Sequence, residues 1–100
     1  MKHQLVLQFP ETIMSYEEMV ELEESLIPAL RDKASVDGHD VGAGEVNLFV
    51  LTDDPKGVFK TIMGLLDKEM ENNLKAAYRE TGSERYVILW PKNLKQFKIK

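Results

Sequence analysis

The chain contains no cysteine. This absence excludes disulfides, catalysis by a thiolate, cysteine-ligated zinc and iron–sulfur clusters. It also fits a reducing cytoplasm, which is the location we predict. Only two histidines are available to carry protons near neutral pH or to bind a metal. We therefore expect no cofactor.

Basic residues are also in short supply. The 13 lysines and arginines are outnumbered by 17 aspartates and glutamates, which gives a formal net charge of −4. Nucleic-acid binding needs a basic surface that displaces counterions, so we expect no nucleic-acid partner and no attraction to anionic membranes. An acidic surface suits a soluble protein, or one with a basic partner.

Long hydrophobic runs are missing as well. No stretch of the sequence approaches the roughly 20 apolar residues that span a bilayer. The first ten residues, MKHQLVLQFP, have only a very short apolar run, so we expect no signal peptide. We therefore expect no membrane partner.

What the sequence does contain is enough apolar material for one core. Its 100 residues, 43% of them hydrophobic, predict a single domain over residues 1–100. Residues 4–9 alternate as in a strand, which ends at Pro10. Ser15 and Glu18 then form a capping box that predicts the start of a helix. The apolar stripe of this helix has helical spacing and consists of Met19, Leu22, Leu26, Ile27 and Leu30.

The middle of the chain is typical of a hairpin followed by a helix. Residues 34–41 and 45–52 are predicted as two strands around a three-residue loop, Gly42–Gly44. Asp53 or Asp54 would cap the next helix, with Pro55 in its first turn. Helical spacing continues with a blurred region to about residue 81, so residues 55–81 form one bent helix or two.

The last part of the chain holds one more strand-like run. Residues 85–90, RYVILW, are rich in residues that favour strands, and Pro91 stops the run. Gly82 is predicted as the residue that ends the preceding helix. Residues 92–100 are either a short extra strand or a frayed tail.

The predicted element order is β-α-β-β-α-β. This order favours an α+β fold of the ferredoxin-like type, with a four-stranded antiparallel sheet in spatial order 4-1-3-2. Both helices would cover one face of the sheet. That face would carry Leu5, Leu7 and Phe9 of the first strand, and Val36, Gly38, Asp40, Val46, Leu48 and Val50 of the hairpin. The other face would be open to solvent, a ligand or a second subunit.

The expected hairpin register places several polar residues on that open face. With a three-residue loop, Val41 faces Glu45, His39 faces Asn47, and Asp37 faces Phe49. Trp90 ends a strand and either stacks on a ligand or partner or closes the edge of the core. The candidate ligand or partner face therefore comprises Asp37, His39, Glu45, Asn47, Phe49 and Trp90.

Three of these residues are the best candidates for chemistry. Asp37, His39 and Glu45 combine a histidine with two carboxylates, which can transfer protons, and His39 with Glu45 could bind a metal. The alternative is plain polar pairing between neighbouring strands. Gly42 and Gly44 have the spacing of a phosphate-binding loop, but such a loop joins a strand to a helix, and here it joins two strands.

The sequence also has a family resemblance. Residues 37–55 read DGHDxGxGExNxFxxTDDP, which resembles small bacterial proteins of unknown function. These proteins are similar also in the later groups Ala77-Tyr78-Arg79 and Leu89-Trp90-Pro91. The resemblance implies a bacterial cytosolic protein and adds no activity.

Three hypotheses about function follow. The first is a small binding module that associates with itself, as a homodimer, through the open face or an edge of the sheet. The second is an acidic inhibitor of the immunity type with a basic, nuclease-like protein partner. The third, a small enzyme or metal-binding protein, would use Asp37, His39 and Glu45; we favour a protein without catalysis.

Overall fold

The structure is a computed structural model that describes residues 1–99. It confirms an α+β fold and contains a five-stranded antiparallel sheet in the order β2-β3-β1-β4-β5. Its elements in chain order are β1 (His3–Pro10), α1 (Tyr16–Ala29), β2 (Ala34–Gly42), β3 (Glu45–Thr52), α2 (Pro55–Met63), α3 (Lys68–Asn73), β4 (Lys75–Glu80) and β5 (Val87–Trp90). Within residues 1–99, no helix has the length and hydrophobicity needed to cross a membrane.

Both helix starts that the sequence predicts are confirmed. The Ser15 side chain accepts a hydrogen bond from the Glu18 backbone N–H at 3.2 Å, and Glu18 Oε1 accepts one from the Ser15 N–H at 3.2 Å. At α2, Asp54 Oδ1 accepts the Gly57 N–H at 3.1 Å, and Pro55 is the first helical residue. These bonds use backbone donors that a helix leaves unpaired in its first turn.

The segment 74–81 is a correction. The sequence predicts helix there, but Lys75–Glu80 form β4, and the helical part of residues 55–81 consists of α2 and α3. The prediction is based on the helical spacing of Leu74, Ala77 and Tyr78, and alanine also favours a helix intrinsically. Burial overrides this preference, because β4 lies between β1 and β5 and both alanines are fully buried on opposite faces of the sheet.

The strand count is therefore wrong in the four-stranded, ferredoxin-like prediction. The run predicted as the fourth strand, residues 85–90, supplies the fifth strand β5 at the sheet edge, over Val87–Trp90. Gly82 ends no helix; it lies in the turn after β4 with φ at +89°.

The main core lies between the sheet and its helices. Its sheet side consists of the residues predicted for that face, namely Leu5, Leu7, Phe9, Val46, Leu48 and Val50. Met19, Leu22 and Leu26 of α1 pack on them and are buried. This face is the one that the sequence predicted to be covered.

The sequence predicted that the other face of the sheet would be open, and this is wrong. The chain after Pro91 runs across it, and Phe97, only 8% exposed, packs with Val6 and Ala77, which are fully buried. The backbone oxygen of Lys98 accepts a hydrogen bond from Gln8 Nε2 at 3.0 Å. Up to residue 99 the tail is thus neither a strand nor a frayed end but a cover for the second face.

Candidate functional site

The loop of the β2–β3 hairpin is one residue shorter than predicted. Gly42 pairs with Glu45, so only Ala43 and Gly44 connect the strands. Their φ angles are +52° and +81°, the left-handed pair that a tight type I′ hairpin turn requires. Shortening the loop by one residue shifts the pairing, so that Val41 faces Val46 and not Glu45.

A β-bulge at Asp37 then restores the predicted register. Val36 pairs with Val50 as expected, but the next pair is Gly38 with Phe49, which leaves Asp37 as an extra residue on β2. Between the bulge and the turn, every side chain of β2 lies on the opposite face from the one predicted.

His39 consequently lies on the helix side of the sheet and not on the predicted open face. It pairs with Leu48, a core residue, and its Nδ1 lies 3.2 and 3.3 Å from the two carboxylate oxygens of Glu23 on α1. Its ring also meets the edge of the Tyr16 ring, with centroids 5.6 Å apart. His39 therefore connects β2 to α1.

The predicted set of Asp37, His39 and Glu45 is not brought together. Glu45 follows the alternation of β3 onto the face of Asn47, whereas His39 lies on the helix side, and Asp37 is the bulge residue. Among residues 1–99 no group of three or more histidines and acids is arranged to hold a metal ion. The geometry thus offers no site at which these three residues could act jointly.

The remaining predicted face residues are structural in their contacts. Asn47 is fully buried, and its Oδ1 accepts a hydrogen bond from Gln8 Nε2 at 3.0 Å. Phe49 is partly buried against the cluster of Val6 and Phe97. Trp90 packs against the main core, and its Nε1 donates to the Glu71 backbone oxygen at 3.0 Å. Trp90 thus closes the edge of the core, one of the two roles considered for it.

A different surface emerges on the flank where α1 meets β2. We call it the α1–β2 surface and define it by Tyr16, Glu17, Glu23, Glu24, Ile27, His39 and Val41. Tyr16, Ile27 and Val41 are 60%, 57% and 39% exposed, although all three are large and apolar. Glu17 and Glu24 are exposed beside them on α1.

Charge is distributed unevenly around this surface. Residues 1–54 contain 12 acids and 3 basic residues, whereas residues 55–100 contain 5 acids and 10 basic residues, so their formal charges are −9 and +5. The first part includes α1 and β2, and β2 is one edge of the sheet; β5, from the second part, is the other edge. The part of the chain with net negative charge thus supplies one edge strand of the sheet, and the part with net positive charge supplies the other.

Sequence reasoning missed the α1–β2 surface, although a signal for it exists. Tyr16, Glu23 and Ile27 are spaced by seven and four residues, which places them on one side of a helix, next to the buried residues Met19, Leu22 and Leu26. The sequence assigned Ile27 to the core stripe, and this is wrong, because Ile27 is 57% exposed. Comparison of the chain with protein-family models, with curated proteins and with solved structures finds no match. The resemblance carried by residues 37–55 stays a prediction.

Proposed function

We propose that this chain is a small protein-binding module that docks a basic surface of a partner protein on its α1–β2 surface. The observation that carries the proposal is an exposed aromatic and two exposed aliphatic side chains set among glutamates, on the acidic side of the molecule. Tyrosine is prominent among residues that dominate interface affinity, and acids around it steer a cationic partner.

The fixed geometry of this surface supports the proposal. The contact of His39 with Glu23 and Tyr16 connects β2 to α1 at the centre of the surface. The Ser15 capping box fixes the first turn of α1, where Tyr16 lies. A surface that is already ordered loses less conformational entropy when it binds.

Self-association, our first hypothesis from the sequence, has weaker support on this surface. A two-fold symmetric dimer pairs a surface with itself. On the α1–β2 surface that would bring Glu17 and Glu24 of one copy near the same acids of the other, and like charges oppose such pairing. The second sheet face is already covered by residues 91–99. A basic partner fits better than a second copy.

This reading agrees with the immunity-type hypothesis, in which the partner is a basic, nuclease-like protein. Acidic inhibitors of basic enzymes gain association rate from charge complementarity. We further infer that the chain is a ferredoxin-like unit extended by an edge strand, and that it works in the bacterial cytoplasm. The strand order β2-β3-β1-β4 supports the first inference, and the missing cysteines support the second.

The test is a titration of the ¹⁵N-labelled chain with a short oligolysine peptide, a probe of basic protein surfaces. We expect saturable amide shifts in α1 and β2, with an affinity that falls as salt rises, because exposed charges are screened. The double variant Glu17→Gln/Glu24→Gln should weaken binding by at least about threefold. Tyr16→Ala should weaken it also at high salt, where charge contributes less.

A matched control removes equal charge elsewhere. Glu69 and Glu84 are exposed and lie outside the α1–β2 surface, so Glu69→Gln/Glu84→Gln should leave the affinity within about twofold of the parent. Equal weakening by both double variants would show that the peptide senses only net charge, and the proposal would be wrong. Light scattering on the free chain tests whether it forms a homodimer. A stable dimer that excludes the peptide would also contradict the proposal of a basic partner.

A further inference from the structure

A hollow that the proposed function does not use lies where β1 and β4 meet the loop before β5. Its volume is about 290 Å³. Six of the residues that line it are His3, Tyr78, Arg79, Glu80, Ser83 and Arg85. None of them belongs to the α1–β2 surface. The hollow is large enough for a small molecule.

Arg79 is the central feature of the hollow. Its Nε donates to Gln4 Oε1 at 3.0 Å, and its Nη1 donates to the backbone oxygen of Ser83 at 2.8 Å. Both acceptors are neutral, and among residues 1–99 the guanidinium forms no ion pair with a carboxylate. A partly buried arginine is thus held in place by neutral acceptors, with no carboxylate of residues 1–99 within ion-pair distance.

The loop around Arg79 is fixed by its own hydrogen bonds. The Ser83 N–H donates to the Glu80 backbone oxygen at 3.0 Å across a turn in which Gly82 has φ at +89°. The Ser83 Oγ accepts the Arg85 N–H at 3.1 Å. These bonds hold the backbone of Arg85 beside that of Ser83, so a second arginine lines the same hollow.

His3 forms part of the wall of the hollow. Its Nδ1 is buried and has no hydrogen-bond partner within the described part of the chain. The ring meets Tyr78 edge to face with centroids 5.6 Å apart, which restricts its orientation. Because the sheet register places His3 and Arg79 on opposite faces, the His3 nitrogen does not face the Arg79 guanidinium.

We propose that this hollow binds the phosphate group of a small phosphorylated molecule, with Arg79 and Arg85 as the contacts. Arginine suits phosphate because its fork of donors matches two phosphate oxygens. Two guanidinium groups offer donors from more directions than the two oxygens of a carboxylate need. The Glu80 carboxylate also lines the hollow and opposes an anion, so it weakens binding.

The experiment is an amide-shift titration of the full ¹⁵N-labelled chain with inorganic phosphate, at ionic strength held constant with chloride. We expect saturable shifts at His3 and at residues 79–87. Acetate at the same concentration tests the carboxylate alternative and should produce weaker, unsaturated shifts. A nucleoside monophosphate and a short RNA oligonucleotide of equal phosphate concentration distinguish a small ligand from a nucleic acid.

The variants assign the site. Arg85→Gln should weaken phosphate binding about tenfold, since a charge-assisted hydrogen bond is lost. Arg85 is exposed and its side chain makes no hydrogen bond within residues 1–99, so this variant should fold even if Arg79→Gln does not. Glu80→Gln should tighten binding. Lys92→Gln, which removes an exposed cation outside the hollow, should change it less than about twofold.

Several results would overturn the proposal. Phosphate shifts that never saturate, or that spread over the tail lysines, would mean that the hollow is not a site. Equal losses in Arg85→Gln and Lys92→Gln would show that only net charge matters. Acetate binding as tight as phosphate binding would change the ligand class, and tighter binding of the RNA than of the monophosphate would make the partner a nucleic acid.

Discussion

The two faces of the sheet are covered in different ways. One face is covered by helices and contributes Leu5, Leu7 and Phe9 to a large apolar core. The other is covered by the chain after Pro91 and buries only Val6, Ala77 and Phe97 as an apolar cluster, beside the buried polar pair of Gln8 and Asn47. The face that the sequence left available for partners is thus occupied by the chain itself.

This difference relocates the surfaces that could bind something. With both faces covered, the exposed apolar side chains Tyr16, Ile27 and Val41 lie on the flank of α1 and β2, and the hollow around Arg79 lies near the opposite edge. The two flanks differ in charge because the acids come from the first part of the chain and most basic residues from the second. The two proposed binding sites thus assign ligands of opposite charge to the two flanks.

The largest expected effect comes from the helix-covered face. Phe9 is fully buried there, so Phe9→Ala should lower the free energy of unfolding by about 3–5 kcal/mol, because it leaves a cavity in a close-packed core. Urea denaturation followed by circular dichroism measures this loss. A loss below about 1 kcal/mol would mean that the core collapses around the gap or that Phe9 is not buried.

The matched substitution on the other face should have a smaller effect. Phe97 packs against fewer buried partners, and Phe97→Ala should lower the free energy of unfolding by about 2 kcal/mol while the sheet and helices remain. Hydrogen exchange should accelerate in residues 92–99 and at β1 amides beneath them. A loss equal to that of Phe9→Ala would indicate that the two faces are equivalent, against our account.

The buried polar pair should show coupling rather than additivity. Gln8→Leu leaves Asn47 Oδ1 and the Lys98 oxygen without their donor, and we expect a loss of about 1–3 kcal/mol. Adding Asn47→Leu removes one of the two acceptors that Gln8→Leu leaves without a donor. The double variant should therefore lose less free energy of unfolding than the sum of the losses in the two single variants. Strictly additive losses in the thermodynamic cycle would contradict the hydrogen bond between these side chains.

The smallest expected effect concerns His39. Glu23→Gln should lower the free energy of unfolding by less than about 1 kcal/mol, because the His39 and Glu23 side chains are 29% and 16% exposed and such pairs contribute little. The amide chemical shifts of the Glu23→Gln variant should nevertheless differ from those of the parent at His39 on β2. Glu24→Gln, at the exposed neighbouring position, serves as the control and should leave His39 unchanged.

Local signals in the sequence were sufficient for part of the fold. The Ser15–Glu18 capping box and the Asp54–Pro55 helix start depend on neighbours in sequence, so they could be predicted. The alternation of Val46, Leu48 and Val50 also gave the face of β3 that the helices cover. The pairing of Val36 with Val50 agrees with the predicted register only because the bulge at Asp37 cancels the shift that the shorter loop introduces.

The rest depended on contacts between distant residues. The bulge at Asp37 moves His39 to the other face. Gly38, with φ at +106°, is a local signal for such a bulge, but the face on which His39 lies also depends on the loop length and on pairing with β3. Ala76 and Ala77 form a strand only because β1 lies beside them. Phe97 is placed by Val6, which lies ninety-one positions earlier in the numbering, so its role could not be predicted locally.

The central claim is that the chain after Pro91 closes the second face of the sheet in the free protein. Nuclear Overhauser contacts between the Phe97 ring protons and the Val6 methyl groups test it most directly, because the two residues belong to one buried cluster. We expect strong contacts, together with Phe97 ring shifts far from those of an unfolded peptide. Absent contacts and unfolded-like shifts at Phe97 would contradict the account and return the second face to the surfaces open to partners.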